Sequence, residues 1–187
     1  IYLYTIRMYT YIYIYIYIYI SDFLMFSIAF VDTKAAVERM LNDLAISAPG
    51  LWRIACLRYF NPVGAHPSGR IGEDPLGTPS NLFPFVSQVA VGRRKHLNVF
   101  GGDWPTADGS GVRDYIHVMD LAEGHRASLE CLFNEDPQVL TLNLGSGVGA
   151  SVLEVVRSFE QSSGREVPYK VVARRPGDAA ITVADPS

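Results

Sequence analysis

Apolar and polar positions divide this chain into two unlike stretches. Residues 1–30 are dominated by apolar positions, with Tyr-Ile repeated five times from Tyr11 to Ile20. From Val31 onward apolar residues recur at helical and strand spacings, punctuated by turn residues. Ala36, Val37, Met40, Leu41, Leu44 and Ala45 fall on one face of a helix over Thr33–Ser47, which Pro49-Gly50 ends. Trp52–Leu57 predicts a buried parallel strand. Asn61–Pro79 is rich in Gly and Pro and predicts a loop of a length uncommon unless functional. Asn81–Val91 reads as helix, Leu97–Phe100 as strand, and Gly101–Gly111 as a second Gly-rich loop. A strand-like run around Val112–Asp114 precedes a helix over Asp120–Phe133, and Val139–Leu144 is a strand ending at Gly145. Ser151-Val-Leu-Glu154 is a capping box, with Ser151 as N-cap and Glu154 reaching back. Val167–Ala173 supplies the last strand. Strands alternating with helices predict an α/β fold with long loops gathered around a site.

The Tyr-Ile stretch fits none of this. Strict alternation reads as a strand with two apolar faces, an aggregation hazard if exposed. The uncharged gap between Arg7 and Asp22 is 14 residues, short of the roughly 20 a spanning helix needs. No small-residue cleavage site marks a signal peptide. A repeated TA dinucleotide, read in triplets, encodes Ile-Tyr-Ile-Tyr. Residues 1–30 are therefore read as a low-complexity segment outside the native structure, such as translated non-coding repeat. Peptides from this stretch, found in abundance, would overturn that reading.

Composition narrows the function. The 187 residues suffice for one domain with a real core. A net charge of −3 gives no reason to expect a nucleic-acid surface. Cys56 and Cys131 are too few for a disulfide framework, and His66, His96, His117 and His125 lack metal-ligand spacing, so no metal is expected.

Several polar residues sit where chemistry could act. Asn61 follows a predicted strand by a few residues, where open α/β sheets place ligand contacts; a turn residue before Pro62 is the equal alternative. Asn81 opens a helix, as an anion contact or as a plain cap. Arg113 lies within an apolar run and needs a partner, either a ligand or Asp114 or Asp120. Arg174-Arg175 is a solvated face or an anion site. Gly145-Ser-Gly-Val-Gly149 has the wrong spacing for a dinucleotide loop and reads as a turn.

The segments Leu57-Arg-Tyr-Phe-Asn-Pro-Val-Gly-Ala-His66 and Gly111-Val-Arg-Asp-Tyr-Ile-His-Val-Met-Asp120 resemble the UDP-glucose 4-epimerases of the extended short-chain dehydrogenase/reductase family. The resemblance runs from about Val31 to Ser187 and covers the C-terminal portion. It implies part of an NAD-dependent Rossmann-type epimerase with its substrate-binding subdomain, the N-terminal Rossmann half missing. The implied activity is isomerase chemistry in galactose metabolism, interconverting UDP-glucose and UDP-galactose through a 4-keto intermediate. The implied setting is the cytoplasm, with a homodimer for the full-length enzyme.

The resemblance also assigns roles. Lys34 matches the family's catalytic lysine, which assists the tyrosine and holds the nicotinamide ribose, and Tyr59 and Phe60 match cofactor-side positions. Asn61, Arg113 and Arg175 match contacts to sugar or diphosphate, Asn81 and Leu82 match a pair holding the sugar nucleotide at a helix start, and Asn98, Val99, Phe100 and Val152 match the uridine pocket. Asp178 matches a ribose contact, and Thr182 borders the sugar, where a large residue restricts N-acetylated sugars; the small threonine implies that a full-length enzyme also accepts UDP-N-acetyl sugars. The family's catalytic tyrosine stands four residues before its lysine; here that position is Phe30, which has no ionisable proton. Without the Gly-rich phosphate loop, tight NAD binding is not expected. The chain alone is therefore expected to be inactive, and poorly soluble or only partly folded. Two competing readings stand. One is another sugar-nucleotide epimerase or dehydratase of the superfamily. The other is an inert UDP-sugar-binding or membrane-associated remnant.

Overall fold

The computed structural model describes residues 26–136 and 139–185, the side chains of 26–31 aside. The Tyr-Ile repeat lies outside the described residues. Helix α1 spans Phe26–Ser47, starting earlier than the apolar periodicity marks and ending where predicted. A turn follows, closed by the Leu51 N–H donating to the Ala48 carbonyl at 3.1 Å. Strand β1 is Ile54–Tyr59, shifted slightly C-terminal of its expected place. Leu41 of α1 packs with Ile54 and Cys56 of β1 in one core cluster.

The predicted loop after β1 is not wholly irregular. It begins with a short strand, β2 (Asn61–Val63). Then come α2 (Leu82–Ala90), β3 (Leu97–Phe100), β4 (Val112–His117) and α3 (Val118–Asn134). The chain continues with β5 (Val139–Leu144), β6 (Gly149–Ser151), α4 (Val152–Ser163), β7 (Tyr169–Val172) and β8 (Ile181–Thr182). The capping box of α4 forms as predicted, with both reciprocal bonds present.

These strands pair in three groups. β1 and β5 run parallel, as the run at Trp52–Leu57 suggests for β1. β3 and β7 also run parallel. β4 is the hub of the third group: parallel to β2 and β8, antiparallel to β6. A second core cluster of Val86, Val89, Leu97, Val99, Val156 and Val167 joins α2, β3 and α4. The β-hub and the β3–β7 pair therefore share α4, which starts directly after β6.

No described helix is long and apolar enough to cross a membrane. Among the described residues no group of His, Cys, Asp and Glu could hold a metal ion. Cys56 is buried and Cys131 half-buried, and neither is in a disulfide. Burial pushes the Cys56 thiol up, and the nearby Glu38 carboxylate adds to this.

Candidate functional site

The hub strand brings three candidate residues into one sheet. Asn61 on β2 lies opposite Tyr115 of β4, and Thr182 on β8 lies directly opposite Arg113. Their neighbourhood in space was invisible in the sequence, because β2 and β8 are too short to carry a periodic signal. Arg113 is half-buried, and Nη1 donates to the Val112 carbonyl at 2.8 Å. Among the described residues it pairs with neither Asp114 nor Asp120. Its other donors stay available to an anion.

Asp114 has other partners. Its carboxylate accepts from the Ser146 N–H (2.9 Å), the Ser146 hydroxyl (2.6 Å), the Gly147 N–H (2.9 Å) and the Ala184 N–H (3.1 Å). Burial alone would raise this carboxyl, but the bonds from Ser146, Ala184 and Gly147 outweigh it and hold it below the ordinary range. The glycine-rich loop at Gly145–Gly149 is thus a turn wrapped on the protein's own carboxylate, as its spacing implied. Its amides are not aimed at a phosphate.

The β3–β7 pair builds the second part. β3 alternates, with Leu97 and Val99 buried and Asn98 and Phe100 exposed. Val99 is 1% exposed and its side chain belongs to the core, so any ligand contact there runs through its backbone. The segment after β7 returns to β3. The Arg175 guanidinium lies over the Phe100 ring, 4.5 Å from its centroid, and Nε donates to Asp178 at 2.9 Å. Phe100, Arg175 and Asp178 therefore form one cluster: an apolar ring, a cation and a carboxylate within reach of each other.

At the head of α2, Asn81 is the N-cap in extended backbone conformation, but its side chain makes no capping bond. The amide instead donates to Glu73 Oε1 at 2.8 Å. The plain-cap alternative is thereby removed, and the helix N-terminus is left without a side-chain cap. Leu82 and Val152 are partly buried against the α2–β3–α4 core. The Val152 N–H donates to the Gly111 carbonyl at 3.0 Å, tying α4 to the start of β4.

Of the cofactor-side candidates, Tyr59 ends β1 and Phe60 leads directly into Asn61 of β2, while Lys34 lies on α1. Tyr59 is 40% exposed, its ring 6.4 Å from His125. Phe60 follows it and donates its N–H to the Leu144 carbonyl at 3.1 Å. Lys34 is half-buried on α1. Phe30 lies one turn before it on the same helix, its side chain outside the described residues.

Sequence reasoning missed several residues that shape this region. Glu73 and Asp103 lie in loops, where nothing in the pattern marks a partner. Tyr115 packs edge-on to Phe83 at 5.4 Å, and burial pushes its hydroxyl up to about 12. A cavity of about 210 Å³ under α2, lined by Glu73, Asp74, Pro84, Ser87, Gln88 and Arg93 among others, contains none of the predicted site residues.

Comparison with known proteins bears directly on this arrangement. Residues 29–145 match the family described as "NAD dependent epimerase/dehydratase family". A Bacillus subtilis (strain 168) protein named UDP-glucose 4-epimerase is 59% identical over 155 residues, covering 83% of this chain and 45% of the relative. The UDP-glucose 4-epimerase structure from Stenotrophomonas maltophila, with bound NAD and formylated UDP-arabinopyranose, superposes with a TM-score of 0.79 at 52% identity. It covers 83% of this chain and 46% of that one. The Bifidobacterium longum UDP-glucose 4-epimerase in complex with NAD+ and UDP gives 0.75 at 51% identity, over 80% of this chain and 44% of that one. The chain thus spans somewhat less than half the length of the relatives it matches.

Proposed function

The chain belongs to the NAD dependent epimerase/dehydratase family, and on that premise we propose that it forms the UDP-sugar-binding half of a UDP-glucose 4-epimerase. The observation that carries the reading is the Phe100–Arg175–Asp178 cluster. An aromatic ring takes a base by stacking, a guanidinium takes a diphosphate by charge-assisted hydrogen bonds, and a carboxylate accepts from ribose hydroxyls. The three sit together in a chain 59% identical to a UDP-glucose 4-epimerase.

In this reading Phe100, with Asn98, the backbone of Val99 and Val152, holds the uridine. Arg113 and Arg175 grip the diphosphate from two sides. Asn61 and the uncapped α2 terminus at Asn81-Leu82 bind the sugar-facing oxygens. Asp178, already paired with Arg175, turns to the ribose. Thr182, opposite Arg113, leaves room beside the sugar, so UDP-N-acetyl sugars join UDP-glucose and UDP-galactose as ligands. Residues 31–187 form the substrate portion, and residues 1–30 take no part. A cytoplasmic setting and a homodimeric full-length enzyme belong to the same reading.

The cofactor fits only in part. When bound, NAD supplies the hydride acceptor for a 4-keto intermediate. Lys34, Tyr59 and Phe60 suit its nicotinamide end. The Gly145–Gly149 turn offers its pyrophosphate no seat, because the Ser146 and Gly147 amides are committed to Asp114. Phe30 at the tyrosine position cannot take the 4-hydroxyl proton.

Titration calorimetry on the full chain tests the reading. Saturable binding of UDP and UDP-glucose is expected, with no interconversion of UDP-glucose and UDP-galactose in the presence of NAD. A folded chain that does not bind UDP would sink the proposal.

A further inference from the structure

Beside the Phe100–Arg175–Asp178 cluster stands a second trio with the same chemistry, to which the proposed site assigns no role. Arg174 donates Nε to Asp103 at 2.7 Å and a second bond to the Asp103 carbonyl. Its guanidinium lies over the Trp104 ring, 3.9 Å from the centroid. The Trp104 indole N–H donates to the Phe100 carbonyl at 3.2 Å. Arg174 and Arg175 are neighbours on the segment leaving β7, and they reach to two different aromatic–carboxylate pairs.

The packing around this trio is tight. The Gly101 N–H donates to the Val172 carbonyl at 2.9 Å, tying β3's exit to β7's exit. Gly101 has φ +82, and a Cβ there would stand 2.4 Å from Trp104 Nε1 and 2.8 Å from Arg174 Cγ. A Cβ on Gly102 would meet Val171 at 2.7 Å. Two glycines in a row are what lets the indole, the guanidinium and two backbone segments come together. An exposed Asp103–Arg174 ion pair alone would contribute little. With the stacked indole and the Phe100 carbonyl added, the trio fixes one segment against the other.

We infer that Trp104 and Arg174 are positioning residues for the nucleotide site, a clamp that sets the Arg175 guanidinium over Phe100. Arg174 anchors the segment on the Trp104 side, so Arg175 is presented to Phe100 and Asp178 with less freedom left to lose on binding. The clamp touches no ligand itself. This inference rests on the proposed UDP site.

The test uses the full chain and UDP as the probe. Trp104 and Trp52 are the two tryptophans, so a Trp52→Phe background makes Trp104 the one indole reporter. In that background a UDP titration is expected to change Trp104 emission with the affinity that calorimetry gives. Trp104→Ala and Arg174→Ala are each expected to weaken UDP about fivefold, the scale of one lost stacked cation. Trp104→Tyr, which keeps an aromatic face for the guanidinium, is expected to restore affinity, and a general loss of stability would not be rescued so selectively. UDP affinity unchanged in both alanine variants would overturn the clamp and leave the site standing. An alanine effect that Trp104→Tyr does not rescue would also overturn it. Failure of the unaltered chain to bind UDP would overturn site and clamp together.

Discussion

Ala184 donates its backbone N–H to the buried carboxylate of Asp114, 70 residues earlier, at 3.1 Å. This bond, with those from Ser146 and Gly147, closes the Gly145–Gly149 turn and the C-terminal segment onto the hub strand. The stretch after Asp178 is therefore anchored twice, by β8 pairing at Ile181–Thr182 and by Asp114 at Ala184.

Replacing Asp114 removes the acceptor for four donors at once. Asp114→Ala is expected to cost about 3 kcal/mol, as buried donors lose their partner. Urea unfolding measures it. A loss within the ordinary scatter of surface substitutions would mean that water replaces the carboxylate freely.

The same carboxylate, with Asp108, sets an acid limit. At Asp108, burial raises the carboxyl, but bonds from Ser151 and Ser110 and the charge of Arg157 hold it low. Both groups have folded pKa values depressed below the unfolded ones. Their contribution is complete above the unfolded value, about 3.9 for Asp, and is lost as pH falls through the folded value. Stability is expected to be flat near neutral pH and to fall below about pH 4. Asp114→Asn and Asp108→Asn are expected to flatten that acid limb in denaturation curves taken across pH.

Gly145 is a steric requirement. A Cβ there would lie 2.4 Å from the Ala184 Cβ and 2.7 Å from Asp114 Oδ2, a carboxylate oxygen held in place by its hydrogen bonds. Gly145→Ala is expected to destabilise by about 1–3 kcal/mol through overpacking. A thermal melt matching the parent chain would show that the turn gives way at no cost.

Ser151 holds two elements. Its hydroxyl accepts from the Glu154 N–H at 3.0 Å and donates to Asp108, so it caps α4 and anchors the Gly101–Gly111 loop. Ser151→Ala is expected to cost about 1–2 kcal/mol, the upper range for a lost N-cap. Ser151→Asp keeps a capping acceptor but sets a second carboxylate against Asp108, and is expected to recover little.

Arg113 carries the sharpest functional expectation. Its guanidinium makes one bond to its own strand and no ion pair with a described carboxylate, so removal leaves no buried charge behind. Arg113→Ala is expected to weaken UDP by roughly 30-fold or more, the range for truncating a buried charge-assisted contact, with urea stability nearly unchanged. Equal losses in stability and affinity would point to a structural role instead.

Much of the fold was legible because its elements are long and locally patterned. The α1 stripe, the α2 and α4 helices with the Ser151–Glu154 box, and the apolar-rich runs of β1 and β5 each announce themselves within a dozen residues. The resemblance at Asn61 and Arg113 could be stated from contiguous words of sequence, and the family match agrees with it. That a phenylalanine, Phe30, stands four residues before Lys34 is likewise a fact of the sequence alone.

The assembly of the site was not legible. β2, β6 and β8 are two or three residues long, too short for any period, and they exist because β4 pairs with them. Asn81 looks like a cap in sequence, and only Glu73 across the loop turns its amide elsewhere. Arg113 could have paired with Asp114, but Asp114 is claimed by donors 32 to 70 residues away. The sequence by itself determined which segments are helix and strand, because that depends on neighbours within a few residues. Only the tertiary structure decided which cations remain free for a ligand. A charge binds whichever partner the fold brings within about 3 Å, and sequence distance does not reveal it.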